Sequence, residues 1–165
     1  ELSPNFVELE LTEGLLSKNM DRARSVLKQL SNVGFSLALD DFGTGYSSLG
    51  YLKHFPFNAL KIDRSFICNL HEDSCDAAIV SAILTLGQGL NLRVVAEGVE
   101  TREQMAWLQR VNCTAAQGYC IAPPLSPVEV AKFLFDQRWL VDNPEIESPI
   151  LLRSSWHSTT IPVGR

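Results

Sequence analysis

The sequence predicts an α/β fold built on a parallel β-sheet, and three observations support this. Short strand-like runs alternate with helical patterns five times, which is typical of consecutive βα units. Within most runs apolar and polar residues alternate, which indicates that one sheet face meets helices and the other a polar interior. Of the 165 residues, 45% are hydrophobic and 20% are charged, enough apolar surface for the core of one domain.

The first part of the chain contains three predicted strands and two predicted helices. We expect the strands at residues 6–12, 35–41 and 58–63. A helix is expected after the first strand, and Gly34 is suited to end it because glycine adopts the left-handed conformation of many helix ends. Its apolar face consists of Ala23, Val26, Leu27, Leu30 and Val33. A second, short helix is expected at residues 47–53.

The second part contains two predicted strands, at residues 93–97 and 114–118, and three predicted helices. The first helix, at residues 76–88, has apolar residues at helical spacing. The starts of the other two are marked by capping boxes, in which a hydroxyl and an amide or acid three residues later satisfy backbone N–H groups. The two boxes are formed by Thr101 with Gln104 and by Ser126 with Glu129. The last helix is expected to end near Trp139.

The composition changes near the end of the chain, where Pro, Ser and Thr become frequent and no periodicity remains. We therefore expect a domain at residues 1–138 and a tail of uncertain structure at 139–165. The chain starts without Met, which suggests a piece of a longer protein.

Charge and cysteine usage limit the class of protein. A formal charge of −5 argues against binding of duplex nucleic acid, which needs clustered Lys and Arg. The four cysteines form no C-x-x-C pair, which favours a reducing, cytoplasmic location. We find neither a long apolar run nor a signal peptide in the sequence, although segments outside it could tether the parent protein to the inner membrane.

Acidic or amide side chains stand at the end of every predicted strand. They are Glu10, Asp40, Asp41, Asp63, Glu97 and Gln117. The carboxyl ends of parallel strands meet at one edge, in a barrel as in an open sheet, so these groups should form one site. The simpler alternative is that they cap helices or face solvent. Clustered carboxylates need cations to offset their burial, and all-oxygen ligands favour Mg²⁺ or Mn²⁺.

Adjacent Asp40 and Asp41 pose a geometric problem, because consecutive residues of a regular strand point to opposite faces. Both can serve one site only where the strand ends and twists into a loop. The following DFGTGYSSL segment contains Gly43 and Gly45, which permit such a change of direction.

Five segments together resemble a known family. They are ELTE at 10–13, LDDFGTGYSSL at 39–49, LKIDRSF at 60–66, VVAEGVET at 94–101, and QGY at 117–119 followed by Pro124. Their order and spacing are similar to those of EAL-domain phosphodiesterases, which hydrolyse the bacterial second messenger cyclic di-GMP to linear pGpG. The resemblance implies a modified TIM-like (β/α) barrel with two Mg²⁺ or Mn²⁺ ions at its carboxyl-terminal rim.

The resemblance also implies roles for individual residues. The metal ligands are Glu10, Asp40 and Asp41, and the catalytic residues are Lys61, Glu97 and Gln117. Substrate contacts are implied for Asp63, Arg64 and Pro124. Glu13 is expected to hold the loop that contains Gly43, Thr44 and Gly45, and residues 41–48 are expected to contribute to a homodimer.

Three of these residues have alternative interpretations. Lysine is disfavoured in a strand unless it has a carboxylate partner, so Lys61 could form a structural ion pair with Asp63 instead of serving catalysis. Asp63 could contact substrate or only orient Lys61. Arg64 could contact a phosphate or face solvent.

The resemblance also implies a Glu and an Asn ligand on strands before Glu10, where the sequence has only nine residues. About five carboxyl-terminal βα units are present out of the eight of a barrel, and the amino-terminal units are missing. We therefore expect little turnover by these 165 residues alone, and GGDEF or sensory domains upstream. An inactive domain that binds cyclic di-GMP or mediates dimerisation is the alternative function. A weaker alternative, without the family, is an enolase-like barrel.

Overall fold

Five parallel strands form a single sheet in the computed structural model, which describes residues 2–16, 20–45, 49–70 and 74–136. The strands are β1 (Glu8–Thr12), β2 (Ser36–Phe42), β3 (Ala59–Ile62), β4 (Arg93–Glu97) and β5 (Ala115–Gln117). The helices are α1 (Glu13–Leu16), α2 (Met20–Val33), α3 (Leu49–Leu52), α4 (Arg64–Cys68), α5 (Ser74–Leu90), α6 (Arg102–Arg110) and α7 (Pro127–Asp136). A 3₁₀ turn at Pro4–Phe6 precedes β1.

Each strand pairs with the next one along the chain, and all four pairs are parallel. One sheet face is apolar because alternate strand residues are leucine, isoleucine, valine or alanine. Its buried members include Leu37, Leu39, Leu60, Ile62, Val94 and Ala96. Helical residues such as Leu27, Ile67, Val80 and Leu108 belong to the same buried cluster. The helices therefore cover this face and leave the polar face for the site.

The predicted α/β architecture is confirmed, and each predicted strand overlaps an observed one. Both capping boxes form: the Thr101 hydroxyl accepts from the N–H of Gln104, and Glu129 Oε2 accepts from Ser126 N–H at 2.7 Å. Gly34 follows α2 with φ of 109°.

Several details of the helices differ from the sequence prediction. Helices α1 and α4 were not predicted, since each has only four or five residues and no apolar period. Val26 and Val33, expected on the apolar face of α2, are 47% and 60% exposed, because the sheet contacts that helix along a narrower stripe around Leu27. The predicted helix at 47–53 is seen as α3, and its first two residues lie outside the described ranges. The tail at 139–165 also lies outside them.

No helix in the described part of the chain combines the length and hydrophobicity needed to cross a membrane.

Candidate active site

Lys61 lies at the centre of the polar face, where side chains from four strands meet. Its ammonium nitrogen Nζ lies 2.6 Å from Glu10 Oε1, 2.6 Å from Glu97 Oε1 and 3.7 Å from Asp40 Oδ1. The Lys61 side chain is only 6% exposed, so these contacts replace most of its hydration. Strand β3 thus supplies one buried cation to acids from β1, β2 and β4.

Asp40 and Asp41 reach the same site because β2 loses its regular geometry there. The register between β2 and β3 shifts between Leu39 and Phe42, and Asp41 has φ of 53°. This left-handed conformation is uncommon outside glycine, although Asp adopts it more readily than most residues. The turn is braced by the N–H of Asp41, which donates to Asp40 Oδ1 at 3.0 Å. The irregularity therefore resolves the problem that adjacent strand residues point apart, and it does so at Asp41 itself, before Gly43.

One carboxylate oxygen each from Asp40, Asp41 and Glu97 lie within 4.8 Å of one another. With Glu10, four carboxylates face Lys61, and the formal charge of this group is −3 when all five residues are ionised. Hard divalent cations with oxygen ligands suit such a donor set, because they neutralise several carboxylates at once. The residues present therefore fit Mg²⁺ or Mn²⁺.

Opposing effects set the pKa values of the site. Burial by itself would lower the pKa of Lys61, but hydrogen bonds to Glu10 and Glu97 and the charges of Glu97 and Asp40 outweigh it and raise the pKa. Burial raises the pKa of Glu97, against the effect of Lys61, and the charges of Asp40 and Glu10 add to the rise. Desolvation and the charges of Asp40 and Asp63 raise the pKa of Asp41. The two acids thus carry unfavourable charge that a bound cation would relieve.

The loop after β2 contacts Glu13, the first residue of α1. Glu13 Oε1 lies 3.5 Å from the N–H of Gly43, which donates to it. The Glu13 carboxylate also packs against Gly45. A Cβ atom at Gly45 would lie 2.8 Å from Glu13 Oε2, so a side chain at this position would clash with the carboxylate. Thr44 donates its hydroxyl proton to the Asp41 carbonyl at 2.9 Å. These contacts tie the loop to the start of α1 and to the irregular end of β2.

Asp63 and Arg64 lie at the rim and have partners other than Lys61. Asp63 caps α4, where its Oδ1 accepts from the N–H and hydroxyl of Ser65 at 3.0 and 2.5 Å. Arg64 is paired with Glu100 at 2.6 Å, and the Arg64 side chain is 63% exposed. The predicted alternative of a Lys61–Asp63 ion pair is wrong for Lys61, whose carboxylate contacts are Glu10, Glu97 and Asp40.

An open cavity of about 290 Å³ extends from this cluster along the polar face. Gln117, opposite Glu97 in the sheet register, lines it together with Glu10 and Lys61. Pro124 is exposed between β5 and α7 and does not belong to the described lining. Glu8 and Arg93 also line the cavity, and sequence reasoning missed them. The sequence pattern could have identified them, because alternate residues of a strand share a face. Glu8 lies on the same face of β1 as Glu10, and Arg93 lies on the same face of β4 as Glu97.

The fold and the site together define a TIM-like α/β domain with an acidic site, suited to divalent cations, at the carboxyl ends of parallel strands. A family model described as the EAL domain matches residues 1–124. The chain belongs to the EAL domain family, and the predicted family and fold class are confirmed.

Comparisons with individual proteins agree with this family. The chain is similar to the bifunctional diguanylate cyclase/cyclic di-GMP phosphodiesterase MucR of Pseudomonas aeruginosa, at 51% identity over 124 residues, which are 75% of this chain and 18% of MucR. The solved PaMucR phosphodiesterase in complex with c-di-GMP superposes with a TM-score of 0.75 and 49% identity, over 78% of this chain and 52% of that one.

The manganese/cyclic di-GMP complex of Klebsiella pneumoniae BlrP1 superposes with a TM-score of 0.67 and 40% identity, over 72% of this chain and 30% of that one. The chain spans about a fifth of the length of the curated relatives it matches.

Proposed function

We propose that this chain forms part of a domain that hydrolyses cyclic di-GMP to linear pGpG with divalent cations. The observation that carries the proposal is the convergence of Asp40, Asp41 and Glu97 oxygens within 4.8 Å, beside the buried ammonium of Lys61. The related MucR is named as a cyclic di-GMP phosphodiesterase, and the BlrP1 structure is a manganese complex with cyclic di-GMP.

Asp40, Asp41 and Glu10 would hold two Mg²⁺ or Mn²⁺ ions. When bound, such ions supply positive charge that activates water and stabilises the attacking and leaving oxygens of an in-line displacement. Asp40 would be shared between the ions, since one of its carboxylate oxygens lies within 4.8 Å of oxygens from both Asp41 and Glu97. Further ligands implied by the family pattern precede Glu10, so the 165 residues alone are expected to turn over little.

The reaction adds water across one phosphodiester. The water oxygen forms a bond to phosphorus, the bond from phosphorus to one ribose oxygen breaks, and that ribose oxygen ends with a proton supplied by the water. Lys61 and Glu97 orient the water, since Lys61 donates hydrogen bonds and Glu97 accepts them. Their 2.6 Å contact fixes the Glu97 carboxylate in one orientation. Gln117 supports the hydrated site from β5.

Contacts beyond the reacting centre are also part of the proposal. Asp63, Arg64 and Pro124 would face the nucleotide at the rim, with Arg64 held by Glu100. Glu13 would stabilise the loop at Gly43, Thr44 and Gly45, which would contribute to a homodimer.

The parent protein would act in the cytoplasm, with a GGDEF or sensory domain in the same polypeptide. The diguanylate cyclase named in the related MucR supports this arrangement.

The experiment compares the natural gene product that carries this chain with its Asp40→Asn variant. Hydrolysis of cyclic di-GMP to pGpG, followed by chromatography with Mg²⁺ or Mn²⁺, should fall at least about 100-fold in the variant, because one shared carboxylate is lost. Asp21→Asn, on the exposed surface of α2, is the matched control and should retain full activity. Near-normal turnover by Asp40→Asn would refute the assignment. Binding of cyclic di-GMP without hydrolysis by the wild-type protein would favour the inactive binding module.

A further inference from the structure

A second charged contact lies on the polar face of the sheet, below the Lys61 cluster, that is, nearer the amino-terminal ends of the strands. Arg93 Nη2 donates to Glu8 Oε2 at 2.5 Å, and the Ser36 hydroxyl donates to the same oxygen at 2.8 Å. Glu8 and Arg93 begin β1 and β4, the strands whose later residues Glu10 and Glu97 contact Lys61. The pair therefore forms a lower layer beneath the site, on the same two strands.

The geometry of the sheet makes this contact informative. Strands β2 and β3 separate β1 from β4, so in a flat sheet β1 and β4 would lie about 14 Å apart, three spacings of a parallel ladder. The side chains nevertheless meet, with Arg93 Nη2 2.5 Å from Glu8 Oε2. They can do so because the sheet curls and because both side chains are long and extend toward each other. The two middle strands leave room because their residues there are small: Ser36 is opposite Glu8 on β2, Ala59 is opposite Arg93 on β3, and Ala38 is opposite Ala59.

The two layers are linked mechanically as well as by position. Glu8 and Glu10 are two positions apart on the same face of β1, and Arg93 and Glu97 are four positions apart on the same face of β4. A change in the separation of β1 and β4 at the lower layer is therefore transmitted to the upper one. Lys61 and Arg93 are the two cationic residues of the five described strands, and each bridges to β1.

We propose that Glu8 and Arg93 are positioning residues, whose ion pair sets the separation of β1 and β4 so that the Glu10 and Glu97 carboxylates converge on the cation-binding site. This inference rests on the proposed function for the identity of the metal, and it concerns residues that the family motifs do not include. Neither residue touches the reacting atoms.

The direction of the change in Mn²⁺ affinity caused by Arg93→Gln distinguishes positioning from simple electrostatics. Arg93→Gln removes a positive charge from the cavity next to the acidic cluster, so Coulomb attraction alone predicts tighter binding of Mn²⁺. Positioning predicts weaker binding, by about 10-fold or more, the range seen when a supporting contact of a metal site is removed. Arg93→Lys keeps the charge and a donor to Glu8, and it should bind within about threefold of wild type.

The test measures Mn²⁺ affinity without substrate, by calorimetry or by the electron paramagnetic resonance of free Mn²⁺, on the natural gene product that carries this chain. The variants are Arg93→Gln, Glu8→Gln and the double variant, with Arg110→Gln on the surface of α6 as the matched arginine control. All three site variants should weaken binding, and the double variant should equal the single ones because one contact is lost in each case. Thermal unfolding verifies that each variant is folded.

Tighter or unchanged Mn²⁺ binding by Arg93→Gln would overturn the proposal. If Arg93→Gln does not fold, the double variant decides, because it removes both charges of the pair and leaves neither one unpaired. Electrostatics then predicts unchanged affinity, and positioning predicts the same 10-fold loss. Absence of Mn²⁺ binding by the wild-type protein would overturn it as well. Wild-type binding of Mn²⁺ without hydrolysis of cyclic di-GMP would reject the proposed function alone, since the affinity comparison still applies.

Discussion

Replacement of Lys61 by Met is the most direct perturbation of the site. Methionine preserves the apolar stem of the side chain and removes the ammonium that contacts Glu10 and Glu97 at 2.6 Å each. Removal of one partner from a buried ion pair costs about 3 to 5 kcal/mol. Because the Glu10 side chain is 47% exposed and water can hydrate it after the change, we expect the lower end, about 3 kcal/mol near neutral pH. For a chain of this size that loss lowers Tm by roughly 6 to 12 °C.

The pH dependence of this loss tests its cause. In the folded protein the pKa of Glu97 is already raised by burial, and Lys61 opposes the rise. Without Lys61 the folded pKa of Glu97 rises further above its unfolded value, so stability falls as pH increases through that interval. The loss caused by Lys61→Met should therefore be small near about pH 4 and full near about pH 8.

In alkaline solution the difference between the two proteins should shrink again. The raised pKa of Lys61 means that its contribution is fully present below its unfolded pKa and is lost as pH rises through the folded one.

The assay is urea unfolding in EDTA at several pH values, with Lys28→Met on the exposed surface of α2 as the matched control. A loss that does not change between about pH 4 and pH 8, or one below about 1 kcal/mol at pH 8, would refute the reasoning. Added Mg²⁺ should recover part of the lost stability, because it replaces positive charge among the same carboxylates.

Two further predictions concern the surroundings of the site. Gly98→Ala should destabilise the protein by about 2 kcal/mol or more in urea unfolding, because Gly98 has φ of 68° and a Cβ there would lie 2.3 Å from Arg64 Cγ. Gly89→Ala, in α5 with nothing within 4 Å of the added carbon, is the control and should be neutral or stabilising; equal effects of the two would contradict the steric argument. In thiol titration near about pH 8, exposed Cys68 and Cys75 should react quickly, whereas burial raises the pKa of Cys113 to about 11 and should delay its reaction until the protein unfolds. Rapid modification of Cys113 in the folded protein would contradict its burial.

Residue type and spacing predicted most of the fold because each element had a local cause. Strand β4 was predicted at its observed bounds, since the apolar run from Val94 to Ala96 lies between polar Arg93 and Glu97. The start of α6 followed from the reciprocal hydrogen bonds of Thr101 and Gln104, which involve residues three apart. Helix α4 was missed because five residues are too few to show a helical period. Its start depends on the Asp63 side chain as the N-cap, and Asp63 was interpreted as a site residue instead.

The candidate site was predicted in part for the same reason. The acids at strand ends were visible because parallel strands bring their carboxyl ends to one edge, whatever the details of the sheet. The partners of Lys61 were not visible, because Glu10 and Glu97 lie 51 and 36 residues away in the chain. Sequence reasoning considered Asp63, which is near in sequence, and the structure uses it to cap a helix instead.

The sequence by itself determined the alternation of strands and helices, the polar face of the sheet and the acidic character of its edge, because these depend on side-chain type and local periodicity. Only the tertiary structure decided which charges meet. The left-handed turn at Asp41 brings adjacent aspartates to one side, and the curl of the sheet brings β1 to β4 across two intervening strands. Both outcomes depend on the register between strands and on the packing of the helices behind them, and neither is a property of a single segment.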